Sequence, residues 1–305
     1  MQHLLSSIDL SKASIEKIFS LAKRISGGDK PVFEDHPIMV LLFDEPSTRT
    51  RISLEVGMAQ MGGSSIYVDT RTSQVSRGET LQDTARAISS YADIIAVRTR
   101  EQDDLMRLSE GSSVPVINAL THLEHPTQAL VDVYTIMEHK GRAKGLRIAF
   151  VGDIAQNTAN SLIVTAAKMG ASISLVGPKG VAPNPRYLKE ARKFAKVDIY
   201  NSMKEGLAGA DIVYTDTFVS MGDEAGRLKR QKLFAPYQLN KNALSYAKKD
   251  ALVMHPLPAH RGMEITADVL EGEQSIVWQQ AANKLVIGKA VVLYLSGQNS
   301  ATSPK

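Results

Sequence analysis

Residues 38–51 read Ile38-Met39-Val40-Leu41-Leu42-Phe43 and then Asp44-Glu45-Pro46-Ser47-Thr48-Arg49-Thr50-Arg51, and their reading decides the fold. The first six form an unbroken apolar run of strand length, the pattern of a strand buried on both faces. Beyond Arg51, Ile52, Val56, Ala59 and Gln60 continue at helical spacing, so the hydroxyls and guanidiniums fall where a strand turns into a helix. A helix start leaves backbone N–H groups unpaired and carries the positive end of the dipole. Ser47, Thr48 and Thr50 add short donors there, and Arg49 adds a fork that matches phosphate oxygens. Ser and Thr before a helix are ordinarily just N-caps, but three hydroxyls and two arginines within residues 47–51 exceed what a cap needs. The stretch has neither glycine nor lysine, which excludes a nucleotide P-loop and favours a single compact phosphate.

Working outward, residues 11–22 form an amphipathic helical pattern that Ser11 or Ser14 can cap and Gly27-Gly28 can end. After the helix that follows Arg51 come Gly62-Gly63, a strand over 65–68 and a polar, irregular loop over 69–77. Gly78-Glu79-Thr80 then opens a helix running to about Tyr91. A strand over 94–97 delivers Arg98 at its carboxyl end, and another over 114–117 leads through 118–124 to His125-Pro126-Thr127-Gln128. Residues 128–138 are helical in period and run into the polar segment 139–145. A second series then begins, with strands near 146–151, 173–176, 197–200, 211–215 and 251–254. Strands alternating with helices imply parallel βαβ units, whose ligands bind beyond the carboxyl ends of the strands. The expected fold is α/β, with two doubly wound parallel-sheet domains of similar size and an active site in the cleft between them. The first domain spans 1–140, completed by a C-terminal helical stretch 281–305 that packs back on it, and the second spans 141–280.

At 305 residues and 43% hydrophobic, the chain can bury two such cores. A net charge of +4, with no basic run interleaved with aromatics, does not imply nucleic acid and suits small anions. The absence of cysteine excludes disulfides, thiolate metal sites and a cysteine nucleophile. MQHLLSSIDL is not a signal-peptide pattern and no apolar run approaches membrane-spanning length, so a soluble cytoplasmic protein with no membrane partner is expected.

Several further turns carry chemistry-bearing residues. Phe150-Val151-Gly152-Asp153 ends a strand, but a lone glycine there is weak support for a dinucleotide site. Asn157 and Asn160 beside it can hold a small polar ligand or merely cap a helix. An imidazole and an amide from His125-Pro126-Thr127-Gln128 can jointly hold a carbonyl group, although a lone histidine is more often a structural hydrogen-bonder. Asp216 follows a strand and suits an ammonium group, and His255-Pro256-Leu257-Pro258 is a rigid turn whose carbonyls can face a ligand.

Taken together, Ser47-Thr48-Arg49-Thr50-Arg51, Arg98, His125 to Gln128 and His255 to Pro258 resemble the aspartate/ornithine transcarbamoylase family in order and spacing over essentially the whole chain. Asp216 to Gly222, which contains Ser220-Met221-Gly222, resembles the loop of the ornithine carbamoyltransferase branch. So do Asn157 to Ser161, Ala259 to Gly262, and Gln74 within its loop. The resemblance implies carbamoyl phosphate and L-ornithine as substrates, citrulline and phosphate as products, no metal or organic cofactor, and a role in arginine metabolism. It also implies a homotrimer, or a multiple of trimers, with sites near subunit boundaries.

By the same resemblance, Ser47, Thr48, Arg49 and Thr50 hold the phosphate, with Gln74 reaching it, often from a neighbouring subunit. Arg98 bridges phosphate and carbonyl oxygen, and His125 and Thr50 polarise the carbonyl. Gln128 and the backbone at Pro256 and Leu257 take the carbamoyl amide, with Pro126, Thr127 and Lys284 completing that half. Asn157, Asp216, Ser220 and Met221 hold the amino acid. On physical grounds, desolvation with phosphate or Asp216 nearby eases deprotonation of the amine, and no dedicated general base is assigned.

Pro256 and Glu45 depart from the ornithine pattern toward the aspartate one, and Lys284 stands where the family has arginine. Aspartate, putrescine and an acylated ornithine therefore stay open as amines, although Asp216 would repel aspartate's second carboxylate. A non-catalytic carbamoyl-phosphate-binding scaffold is the alternative from another class.

Overall fold

The computed structural model describes residues 2–218 and 226–297. The expected ligand residues Ser220 and Met221 lie outside them. The chain divides into two compact units, one running to Leu130 and resumed from Asn283 onward, the other spanning Val131–Ala282.

The first unit begins with α1 (Lys12–Ser26), capped by the Ser11 side chain accepting from Ser14 N and closed by Gly27. It continues with β1 (Ile38–Phe43), α2 (Arg49–Gln60), β2 (Ser64–Asp69), α3 (Leu81–Ile88), β3 (Ile94–Arg98), α4 (Gln102–Gly111) and β4 (Val116–Leu120). The four strands are parallel in the order β2-β1-β3-β4, so the winding direction reverses between β1 and β3. Val40, Leu42, Ile95, Val97 and Val116 bury one face against Ala85, Leu105 and Leu108.

α5 (Pro126–Lys140) starts in the first unit and ends in the second. There follow β5 (Arg147–Val151), α6 (Asn157–Lys168), β6 (Ser172–Val176), α7 (Pro185–Ala191), β7 (Val197–Tyr200), α8 (Met203–Leu207) and β8 (Ile212–Thr215). Then come α9 (Arg227–Phe234), α10 (Lys241–Leu244), β9 (Leu252–Met254), α11 (Ala267–Leu270) and α12 (Val277–Leu295). This sheet is also wholly parallel, in the order β7-β6-β5-β8-β9, and reverses between β5 and β8. The chain therefore has the two parallel-sheet α/β domains that its strand and helix alternation implies.

Four local expectations differ from the structure. The helix after Thr80 ends at Ile88 rather than Tyr91, and the strand expected to stop at residue 117 runs to Leu120. α4 was not anticipated; only Leu105, Leu108 and Ser109 along it are buried, too narrow a stripe to stand out among acidic neighbours. α2 forms where expected but buries Thr50, Leu54, Gly57 and Met58, while Ile52 and Val56 are exposed. Its apolar residues lie on two faces, and the spacing alone did not say which one meets the sheet. No helix among the described residues is long and apolar enough to cross a membrane.

Candidate active site

The reversal between β1 and β3 brings two strand ends together, with Phe43 and Arg98 as paired residues in the ladder. Parallel sheets open a crevice for ligands at such points. Beyond β1, Asp44 ties the two ends to each other: it accepts from Thr99 Oγ1 at 2.9 Å and Arg100 N at 3.2 Å, while Asp44 N donates to Arg98 O at 3.0 Å. The chain then enters α2. Thr48 is its N-cap residue and makes no side-chain cap hydrogen bond, so capping does not account for the hydroxyls there. Thr48 is exposed, Ser47 and Arg49 are half-buried, and Thr50 is buried. Arg51 leaves this edge: it pairs with Glu55 at 2.9 Å and lies 3.6 Å from the Tyr67 ring centre.

Arg98 is half-buried, and its Nε is buried with no hydrogen-bond partner among the described residues. Burial pulls its pKa below the ordinary guanidinium value, and Glu45 and Asp44 pull it back up. A guanidinium so placed stays charged and lacks the acceptor its geometry invites. Glu45 itself lies 3.5 Å from Arg100.

His125 ends the turn after β4 and is 5% exposed, with Pro126 opening α5 behind it, where a missing N–H costs nothing. Burial first, then the positive charges of Lys284 and Arg98, push its pKa well below the ordinary histidine value, so the ring is neutral at neutral pH. Thr127 Oγ1 lies 3.2 Å from Nδ1. With the Thr127 hydroxyl donating, the ring's proton sits on Nε2, where it can be donated to a carbonyl oxygen. Gln128, 1% exposed, accepts a hydrogen bond from Lys284 on α12. The sequence marked both residues, but their contact across 156 positions was not legible from it. Gln74 lies in a short 3-10 turn after β2 and is exposed.

In the second unit the matching reversal joins the ends of β5 and β8. Gly152 closes β5 at φ +111°, and a Cβ there would lie 2.6 Å from the Phe218 ring, so the lone glycine has a packing role. Asn157 opens α6 and accepts from Thr158 N at 2.7 Å. Asp216, just beyond β8, is 7% exposed and accepts from Thr158 Oγ1 and Thr217 N, both at 2.7 Å. Burial raises its pKa, against the opposing influence of His255 and these hydrogen bonds. Thr158 was not anticipated as its support; a hydroxyl one residue into a helix has no distinctive pattern.

Beyond β9, His255 is fully buried and accepts from Leu257 N on Nδ1 at 2.9 Å, while its Nε2 faces Glu264 Oε1 at 3.2 Å. Gln280 Oε1 accepts from His255 N at 2.9 Å. These bonds hold Leu257 at φ +59°, a left-handed conformation that is unfavourable for a leucine.

Residues 2–138 match the profile described as the carbamoyl-P binding domain of aspartate/ornithine carbamoyltransferase, and residues 144–295 match that family's Asp/Orn binding domain. The chain therefore belongs to the aspartate/ornithine carbamoyltransferase family. The ornithine carbamoyltransferase of Archaeoglobus fulgidus is 42% identical over 305 residues, covering 98% of this chain and 99% of that protein. That of Picrophilus torridus is 40% identical, covering 93% and 96%. Among solved structures, the ornithine carbamoyltransferase from Pyrococcus furiosus superposes with a TM-score of 0.93 at 38% identity, covering 97% of each chain.

Proposed function

We propose that the chain is a carbamoyltransferase that moves the carbamoyl group of carbamoyl phosphate to the side-chain amine of L-ornithine, giving citrulline and phosphate. The observation that carries this reading is the pairing, in one unit, of a half-buried Arg98, whose buried Nε has no hydrogen-bond partner among the described residues, with a neutral, buried His125. Arg98 suits an anionic leaving group, and a neutral imidazole donor suits a carbonyl oxygen. The relatives named as ornithine carbamoyltransferases over nearly the full length support it.

In this reading Ser47, Thr48, Arg49 and Thr50 hold the phosphate with the open amides of α2, and Gln74 reaches it, across a subunit boundary if the chain is a homotrimer. Arg98 bridges the phosphate and the carbonyl oxygen, His125 and Thr50 polarise that carbonyl, and Pro126 and Thr127 fix the ring. Gln128, held by Lys284, and the backbone at Pro256 and Leu257 accept from the carbamoyl amide. Asn157, Asp216, Ser220 and Met221 hold the amino acid. The amine, having shed one proton, forms the new C–N bond at the carbonyl carbon, the C–O bond to phosphate breaks, and phosphate leaves with the bonding electron pair and takes the second proton from the amine nitrogen. Donors aimed at the carbonyl oxygen are worth about 3 kcal/mol each where charge accumulates. Exclusion of water disfavours the charged form of the side-chain ammonium and so lowers the cost of its deprotonation.

The two halves of the work fall to residues 1–140 with 281–305 for carbamoyl phosphate and to 141–280 for the amino acid. A cytoplasmic homotrimer serving arginine synthesis completes the reading, and sedimentation of the purified protein tests its size. The direct test of function is a panel of amines at saturating carbamoyl phosphate. Citrulline from ornithine is expected, and turnover only with aspartate, putrescine or an acylated ornithine would reassign the amine. Binding of phosphate with no turnover of any amine would favour a scaffold.

A further inference from the structure

Residues 4–7 belong to none of the nine strands among the described residues, yet they are built onto the sheet edge that delivers His125. Leu4 bridges Ile117 in parallel register, with Leu4 N donating to Val116 O and Asn118 N to Leu4 O, both at 2.8 Å. Asn118 Nδ2 and Gln102 Nε2 both donate to Leu5 O, at 2.9 and 3.2 Å, and the Leu5 side chain packs into the core of the first unit. The segment so fixed turns its next two residues onto Glu124, which immediately precedes His125. Ser6 Oγ donates to Glu124 Oε1, and Ser7 donates to Oε2 through its backbone N–H at 2.7 Å and its hydroxyl at 2.5 Å.

Glu124 is fully buried. A carboxyl that deep is costly unless donors satisfy it, and residues 6 and 7 supply three. Its own backbone closes the turn, with Thr121 N donating to Glu124 O at 2.8 Å and Glu124 N to Thr121 Oγ1 at 3.1 Å. The imidazole therefore leaves a turn whose preceding side chain is clamped by a segment more than a hundred residues away in sequence.

We propose that Ser6 and Ser7, acting through Glu124, are positioning residues that aim the His125 imidazole at the carbonyl oxygen. This rests on the carbonyl-polarising role given to His125 above. The phosphate cradle of α2 has no part in the clamp, so disturbing the clamp weakens polarisation and leaves phosphate capture in place. An ångström-scale misplacement of a catalytic group costs up to about a hundredfold in rate, so loss of one clamp donor is expected to cost about tenfold.

The test uses the full chain with phosphonoacetamide, a non-transferable carbamoyl phosphate analogue, labelled with carbon-13 at the carbonyl and read by infrared difference spectroscopy. In the unmodified protein the bound carbonyl band is expected to move to lower frequency. In Ser7→Ala and Glu124→Gln that displacement shrinks by about half, kcat falls about tenfold and KM for carbamoyl phosphate changes less than about threefold. Ser7→Thr, which keeps the hydroxyl, restores both band and kcat. If Glu124→Gln does not fold, Ser6→Ala and Ser7→Ala carry the test, with urea midpoints showing that they do fold. Folded variants with an undiminished band displacement, or an undisplaced band in the unmodified protein, would overturn the proposal. A displaced band that depends on Ser7, in a protein that makes no citrulline, would instead uphold the positioning role and remove the proposed reaction.

Discussion

In the first sheet the order reverses between β1 and β3, and the strand ends there lead to Arg49 and Arg98. In the second it reverses between β5 and β8, and the strand ends lead to Asn157 and Asp216. The scaffold device is the same and the charge is opposite. Each charged group is also made costly by burial: Arg98 loses hydration and its Nε has no partner among the described residues, while Asp216 is driven toward its protonated form. In the proposed reaction a phosphate would relieve the first and an ammonium the second. A buried charge that is only partly compensated is a binding site for the opposite charge, and the two units supply one of each.

The sharpest way to break this comparison is to remove one charge and ask which ligand suffers. Arg98→Ala should lower kcat/KM for carbamoyl phosphate about a thousandfold, as loss of an aimed transition-state donor does, with ornithine affinity little changed. His125→Ala should lower kcat about a hundredfold and leave phosphate inhibition intact. Asp216→Asn should raise the KM for ornithine about 10- to 100-fold, the worth of a charge-assisted hydrogen bond, without moving carbamoyl phosphate affinity. Steady-state kinetics with each substrate varied in turn separates the three.

The same groups sharpen the comparison through pH. The folded pKa of His125 lies below its ordinary 6.5, so the unfolded chain takes up a proton that the folded one refuses. Stability is therefore full above about pH 6.5 and falls as the pH drops from there toward the folded value, by at most about 1.4 kcal/mol per pH unit from this group. His125→Gln should flatten that slope in urea titrations. Asp216 has the reverse sign: its folded pKa is raised, so the ligand-free protein loses stability as the pH rises from about 3.8 to the raised value and holds level above it. Asp216→Asn should remove that loss. The smallest effect is expected far from both sites, where Ser11→Ala should cost about 1 kcal/mol of stability through the lost α1 cap and nothing in kcat.

The inner strands were legible because parallel, doubly covered strands write continuous apolar runs, as Ile38 to Phe43 and Ile148 to Val151 do. Strand-end residues followed from the strands, since Arg98 and Asp216 each lie at or just past a run. What stayed hidden was set by tertiary partners. The buried face of α2 depends on what packs on it. Lys284 meets Gln128 only through α12, and Glu124 reads as a loop acid until Ser6 and Ser7 are seen to bury it. The Thr48 hydroxyl was distinguishable from a cap only once its missing cap bond was observed.

The most direct test of the opposite-charge account is a crystal structure with a bisubstrate analogue that joins a phosphonate to the side-chain nitrogen of ornithine. The account predicts phosphonate oxygens at hydrogen-bond distance from the Thr48 and Arg49 amides and the Arg98 guanidinium, with the ornithine α-ammonium on Asp216. A phosphonate seated away from Arg98, or an amino-acid portion that leaves Asp216 without a cation, would contradict it.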